Sequence, residues 1–324
     1  MKIKPDYQLS VLHEETYKEK MSEISARLDQ CRHEGTFSGF DGQPLYYEFF
    51  QAEESRGAVV AVHGLSEFTG KYHEFAWYLL NQGYDVFLYD QRSHGRSCRL
   101  TERVDLIHVD HFSDYWKDLD RFVCGVVRPN TDGPLYLYAH SMGGAVGVQY
   151  LANRPQVFKK AVLSAPMIRP LTGQVHPTVA WIGLTACLLF RNGKEKCWTS
   201  DEFDPAYSFE SSHDQSRARF ERNMEQRLQN LCYCTTPQTI RWVQQAVSLY
   251  RGLTSKRFLK KIQAPILMIS AENDDCVSDQ AQQRFAQRCP LCERIVLPDS
   301  THGMLCETQK TLTAHVQAVL NHFA

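Results

Sequence analysis

The chain predicts an α/β fold: a mostly parallel central sheet with helices on both faces and one helical stretch inserted into it. Three observations carry this. From Gly57 to Pro166, short apolar runs bounded by turn residues alternate with helix-like segments, the pattern of strands joined by crossover helices. One of those runs, Pro134–His140, passes through Ser141 straight into glycine-rich helical sequence. The alternation then stops between Met167 and Arg257 and resumes with a strand after Pro265.

Taken in order, residues 1 to about 33 are polar and read as a helical leader. Thr36–Phe40, Asp41-Gly-Gln-Pro44 and Leu45–Phe50 predict a hairpin that opens the sheet. Gly57–Val62 is apolar throughout, as a buried central strand requires, and ends in the tight His63-Gly64 turn. A helix from Tyr72 to Asn81, a strand from Tyr84 to Tyr89 and a helix near Phe112–Val127 lead to the Pro134 strand, and Lys160–Pro166 is the next. Beyond the insert come the Pro265 strand and a last strand, Glu293–Pro298. The expected organisation is therefore a core built from residues 1–166 and 258–324, with 167–257 as a helical cap. Because the insert follows a strand, it lies on the side of the sheet where the strands end.

Composition removes several function classes. The chain has 324 residues, 43% of them hydrophobic, and a formal net charge of −1, so it lacks the basic excess of a nucleic-acid binder. Met1-Lys-Ile-Lys-Pro-Asp6 has no apolar signal stretch, which predicts a cytoplasmic protein. The eleven cysteines are odd in number and scattered, as reduced thiols are. Cys289-Pro-Leu-Cys292 has C-x-x-C spacing, but Cys232-Tyr-Cys234 is one residue short of a second pair. No metal and no cofactor are therefore expected. Nothing in the sequence fixes an oligomeric state.

The chemistry concentrates at three strand ends. Ala139-His-Ser141-Met-Gly143-Gly144 is a G-x-S-x-G elbow with alanine in place of the first glycine. Such a turn holds a serine hydroxyl clear of the sheet, beside a base and backbone donors. The loop after His63-Gly64 can aim an amide at the same point, so the expected oxyanion donors are the N–H groups of Leu65 and Met142. His63 itself is expected to shape the loop. Downstream, Ala264–Ser270 runs into the carboxylate-rich Glu272-Asn-Asp274-Asp275-Cys-Val-Ser-Asp279. Asp274 is the first choice for a triad acid, Asp275 the second and Asp279 the third. Asp299-Ser-Thr-His302-Gly303 then places a histidine just past the last strand. Serine, aspartate and histidine in that chain order match one hydrolase lineage and differ from the chymotrypsin and subtilisin orders.

The insert offers aromatic side chains for an acyl pocket, chiefly Trp181, Trp198 and Phe203. Its apolar run Val179–Phe190, with Leu184 and Leu188, is too short to span a bilayer but suits transient contact with a membrane surface. Arg191, Arg217, Arg219 and Arg222 would meet phosphate.

These motifs, with Asp90-Gln-Arg-Ser93-His-Gly-Arg-Ser97, Arg222-Asn223 and Thr236–Val243, resemble the lysophospholipase and monoglyceride-lipase branch of the α/β-hydrolases, and bacterial lysophospholipases most. The resemblance spans nearly the whole chain. It implies the α/β-hydrolase fold with an inserted cap, and a cofactor-independent serine hydrolase acting on lysophospholipids or monoacylglycerols. With such a substrate, a peripheral position on the inner face of the cytoplasmic membrane is expected. The family turn usually has glycine where this chain has Ser93. Two alternatives stand beside this reading. A serine aminopeptidase of the same fold would need cap carboxylates such as Glu202 or Glu210 to hold a free amine. A catalytically silent ligand receptor would leave the serine unreactive.

Overall fold

The computed structural model describes residues 1–324. Its strands are β1 (His33–Ser38), β2 (Pro44–Phe50), β3 (Ala58–Val62), β4 (Asp85–Tyr89), β5 (Leu135–His140), β6 (Lys160–Ser164), β7 (Ile266–Asn273) and β8 (Cys292–Thr301). They form one sheet in the spatial order β1-β2-β4-β3-β5-β6-β7-β8. Pairing is antiparallel for β1–β2 and β2–β4 and parallel for every other neighbour. The β1–β2 hairpin thus opens the sheet, as its turn residues predict.

The helices are α1 (Tyr17–Cys31), α2 (His73–Asn81), α3 (Ser113–Phe122), α4 (Met142–Asn153), α5 (Pro177–Cys187), α6 (Arg217–Gln229), α7 (Ile240–Leu253), α8 (Lys256–Leu259), α9 (Asp279–Arg288) and α10 (Gln309–Phe323). Strand residues alternate between two cores, as the two-residue period of a strand demands. Val59, Ala61, Tyr136 and Tyr138 pack with α1, α2 and α10 through Leu28, Leu79 and Val316. Val60, Val62, Leu137 and Met268 pack with α3, α4, α7 and α9 through Leu119, Val146, Leu249 and Phe285. Both faces of the sheet are therefore covered.

Three elements differ from their sequence-based bounds. The leader is helical only over α1, where Tyr17, Met21, Ile24, Leu28 and Cys31 are buried at helical spacing. Before it, Ile3 exchanges backbone hydrogen bonds with Gln51 and Glu53, each 2.8 Å long, so this end bridges to the segment just after β2 instead. The helix after Phe112 widens into a π turn over Val123–Val127, just before Pro129, whose missing N–H prevents further winding. Strand β8 continues past Pro298 to Thr301. Proline is tolerated there because β8 is an edge strand.

The insert joins β6 to β7 and carries α5 to α8. Leu184, Cys197, Ile240 and Val247 form a small core that holds α5 on α7. On the other side, α6 is tied to the leader. Ser216 Oγ donates to Glu14 Oε2 (2.6 Å), the Ala218 N–H to Glu14 Oε1 (2.7 Å) and Arg222 Nη2 to Ser25 Oγ (3.1 Å). Glu14 thus satisfies an amide that the start of α6 leaves without a helical acceptor.

Candidate active site

Strands β3, β5, β7 and β8 run parallel, so their carboxyl ends fall on one edge of the sheet, where open α/β sheets build their sites. At the end of β5, Ser141 has φ +50° and ψ −116°, and α4 starts with the next residue. That backbone is costly for any residue with a Cβ. Surrounding bonds hold it: the Ser141 N–H donates to Ser164 O (3.0 Å), and Ser141 O accepts from Gly144 (2.9 Å) and Met167 (2.8 Å). Glycine is required just beyond, since a Cβ on Gly143 would collide with the Val62 and His63 carbonyls and one on Gly144 would lie 2.6 Å from Pro166 Cβ. Ala139 replaces the usual first glycine because Gly147 faces it, where a Cβ would stand only 3.1 Å from Ala139 Cβ.

His302 lies on the turn after β8 with Nε2 2.8 Å from Ser141 Oγ. Its Nδ1 is 2.9 Å from Asp274 Oδ2 and 3.1 Å from Oδ1. Asp274 Oδ1 also accepts the N–H groups of Cys276 (3.0 Å) and Val277 (2.9 Å). Burial opposes ionisation of this carboxyl, but His302 and the two amides outweigh it and hold Asp274 below the usual carboxylate range. The neighbouring carboxylates turn elsewhere. Asp275 Oδ2 pairs with exposed His213 Nε2 at 2.9 Å, and Asp279 pairs with Arg294. The geometry brings Ser141, His302 and Asp274 into one hydrogen-bonded line and leaves Asp275 and Asp279 outside it.

The loop after β3 lies against this line, for a Cβ on Gly64 would be 3.2 Å from Ser141 Cβ. The Leu65 N–H makes no hydrogen bond within the chain, and the Met142 N–H is the first amide of α4, which no helical carbonyl can reach. Both are thus available to an oxyanion. His63 holds the loop: its Nε2 accepts the Gln91 N–H (2.9 Å) and its Nδ1 lies 2.7 Å from Gly64 O. Burial pushes its pKa down to about 4.

Glu67, which the sequence pattern does not single out, is buried behind this loop. Its Oε2 accepts the Gly64 N–H (2.6 Å) and the Tyr72 hydroxyl (2.7 Å), and its Oε1 accepts from Lys71 Nζ (2.6 Å). His140 Nε2 is 3.8 Å from Oε1, and the His140 ring lies 5.2 Å from that of His302, centroid to centroid. Burial would neutralise Glu67, yet Lys71, His140 and the hydrogen bonds keep it ionised far below the usual range. Ser93 is a second departure that the fold absorbs. It takes φ +63° where the family turn has glycine, and its hydroxyl donates to His108 O (3.0 Å).

The insert reaches the site through the end of α6. Arg227 donates to Ser66 O, and its guanidinium lies over the half-buried Phe203 ring, 5.7 Å from the centroid. Tyr233 stacks on Phe68 at 4.1 Å. Phe203 thus stands beside the Leu65 loop. Trp181 and Trp198 are exposed, the latter by 63%, and neither has an aromatic or cation–π partner. Two surface expectations are corrected. Leu184 is 6% exposed and belongs to the core between α5 and α7. Arg219 is buried, donating to Glu74 (2.6 Å) and lying over the Tyr17 ring, so it does not meet solvent phosphate. Glu202 is held by Arg103 and Lys196, and Glu210 by Arg217.

An eight-stranded sheet of this order, with an elbow serine at the end of β5, is an α/β-hydrolase. The model of the family described as "Serine aminopeptidase, S33" matches residues 53–309, and the chain belongs to that family. It is 28% identical over 306 residues to "Lysophospholipase L2" of Escherichia coli K12, covering 90% of this chain and 87% of that protein. Over a shorter stretch, 129 residues, it is 31% identical to "Monoglyceride lipase" of Mus musculus, covering 40% of this chain and 41% of that one. Among solved structures, a soluble variant of monoglyceride lipase from Saccharomyces cerevisiae superposes with a TM-score of 0.72 at 18% identity, over 90% of this chain and 94% of that chain. No helix is long and apolar enough to cross a membrane.

Proposed function

We propose that this chain hydrolyses carboxylic esters of single-chain lipids, lysophospholipids or monoacylglycerols, through an acyl-enzyme. The observation that carries the reading is the line Asp274–His302–Ser141, with contacts of 2.9 and 2.8 Å. In this reading His302 Nε2 takes the Ser141 proton as Oγ attacks the ester carbonyl. The oxyanion is met by the Leu65 and Met142 amides, which act on charge that exists only near the transition state. His302⁺, stabilised and oriented by Asp274, gives its proton to the leaving alcohol, and water repeats the cycle on the acyl-serine. Every step uses side chains or amides of this chain.

The names of the relatives support a lipid ester as substrate. An aminopeptidase would need an unengaged carboxylate for the substrate amine, and Glu202 and Glu210 are both neutralised by cations. Membrane contact through the cap is supported by where apolar side chains are exposed. Val179, Ile182, Leu189 and Phe190 all face outward around α5, with Phe190 88% exposed.

The test is a screen of purified protein against lysophosphatidylcholine, monoacylglycerol and an aminoacyl-naphthylamide, with fluorophosphonate labelling alongside. Hydrolysis of either lipid and labelling at Ser141 are expected. Exclusive cleavage of the naphthylamide would replace the substrate class, and absence of labelling would indicate a silent receptor.

A further inference from the structure

Cys276 follows Asp274 by two residues on the turn after β7, and its side chain is exposed. Its Sγ, a carboxylate oxygen of Asp274 and a ring nitrogen of His302 all lie within 4.8 Å of one another. A soft thiolate, an imidazole and a carboxylate are the three ligand types that zinc takes. From metal–ligand bonds of about 2.0–2.3 Å, ligand atoms around a tetrahedral ion stand roughly 3.3–3.8 Å apart. To admit an ion, His302 Nδ1 and Asp274 Oδ2, 2.9 Å apart, must open slightly and the Cys276 Sγ must approach them. On the outer side of the thiol, Asp275 Oδ1 is 3.4 Å from Sγ, so the fourth position falls to that carboxylate or to water.

We propose that Asp274, Cys276 and His302 form an inhibitory site for a soft divalent cation such as Zn²⁺. The inhibitory half of this statement rests on the hydrolase reading above; the binding half does not. Binding forms one bond each to sulfur, oxygen and nitrogen, and the thiol proton passes to solvent, because a coordinating thiol is deprotonated outright. The Asp274 and Asp275 carboxylates beside the thiol supply negative charge that favours a dication.

Either ring nitrogen leads to the same result. Coordination at Nε2 occupies the lone pair that must accept the Ser141 proton. Coordination at Nδ1 breaks its hydrogen bond to Asp274, which turns to the ion, and moves the ring proton to Nε2, which again cannot accept. A bound cation therefore removes the base while leaving Ser141 and the oxyanion amides in place.

The experiment compares wild-type protein with Cys276→Ser. Co²⁺ titration reads binding through the thiolate-to-metal charge-transfer band, and p-nitrophenyl ester hydrolysis with added Zn²⁺ reads inhibition. The expected result is a Cys276-dependent band and inhibition reversed by a chelator, with each protein's inhibition scored against its own metal-free rate. The Zn²⁺ concentration for half-inhibition should rise by at least about tenfold in the variant, the scale seen for loss of even an outer-shell partner. Equal bands, or equal Zn²⁺ sensitivity, in the two proteins would overturn the proposal. Normal activity with the site loaded would overturn its inhibitory half. A wild-type protein that binds Co²⁺ through Cys276 but hydrolyses no ester would sustain the binding half and count against the hydrolase reading.

Discussion

The Glu67 carboxylate accepts the Gly64 N–H at 2.6 Å, and this bond fixes the plane of the His63–Gly64 peptide, one peptide before the Leu65 amide. With Tyr72, Lys71 and His140 around it, Glu67 holds the loop beside Ser141, which in the proposed mechanism carries an oxyanion donor. Glu67→Gln should lower kcat by about tenfold to a hundredfold, less than loss of an oxyanion donor costs, with KM little changed. Steady-state kinetics on a soluble ester separate the two. A rise in KM at unchanged kcat would assign Glu67 to substrate binding instead.

Ser141→Ala should abolish ester hydrolysis in a protein that keeps its fold, a loss on the order of a millionfold in turnover for a comparable nucleophile. His302→Ala should be nearly as damaging, and the double variant little worse than either, since triad members act as a unit. Additive losses would show that His302 is not the base.

Asp274→Asn should reduce turnover by about four orders of magnitude by presenting the wrong histidine tautomer. Asp275→Asn should cost little, because Asp275 faces solvent and His213. Parallel kcat measurements decide it, and the reverse ranking would move the acid by one residue.

Membrane contact is best tested at exposed positions. Ile182→Asp with Phe190→Asp should weaken sedimentation with anionic vesicles at least about tenfold, given about 2 kcal/mol for each large apolar side chain withdrawn from water. Hydrolysis of a short soluble ester should be spared. Leu184→Asp, by contrast, should destabilise the insert itself, because Leu184 is buried. Unchanged vesicle binding in the double variant would remove the contact.

Four buried histidines predict acid sensitivity. Burial lowers His63 and His140 to about 4 and His315 to about 3 from an ordinary 6.5, and lowers His94 as well. Between those values the unfolded chain binds more protons than the folded one, so stability is full above about pH 6.5 and falls on acidification. Each histidine held two units low contributes about 3 kcal/mol at neutral pH. Asp90 works the other way, since burial raises it to about 6, and burial raises Asp85, Asp118, Asp214 and Glu307 as well. Carboxyls start from about 4, so their effect falls at the acid end of the range, while His108 and His322 are lowered with the other histidines. Urea midpoints from tryptophan fluorescence should drop between about pH 7 and pH 5; a flat profile would mean that these histidines titrate freely.

The sheet was legible because each parallel strand is a short apolar run with its own turn signal. Ser141 and His302 could be located for the same reason, since each follows directly on a strand. Choosing between Asp274 and Asp275 is different in kind. Adjacent turn residues point opposite ways, and only the backbone course sets which one meets the imidazole. Glu67 lies three residues past the His63-Gly64 turn, yet its surroundings include His140, more than seventy residues further on. Arg219 looked like one of a row of surface arginines. It is buried by Tyr17 and Glu74, elements too distant in sequence for local polarity to register.

The bonds from Glu14 and Ser25 to the start of α6 bear on how substrate arrives. They fasten one margin of the insert to the leader, and Arg227 adds a tie to the loop beside Ser141. At the opposite margin, α5 rests on a core of four buried residues shared with α7 and presents its apolar side outward. Lifting α6 would break the Arg219–Glu74 ion pair, a capped helix start and several hydrogen bonds, whereas α5 is held on α7 by apolar packing. Under the proposed activity, the margin fastened by the leader is the polar one, and the outward apolar side of α5 is the surface that a lipid would meet.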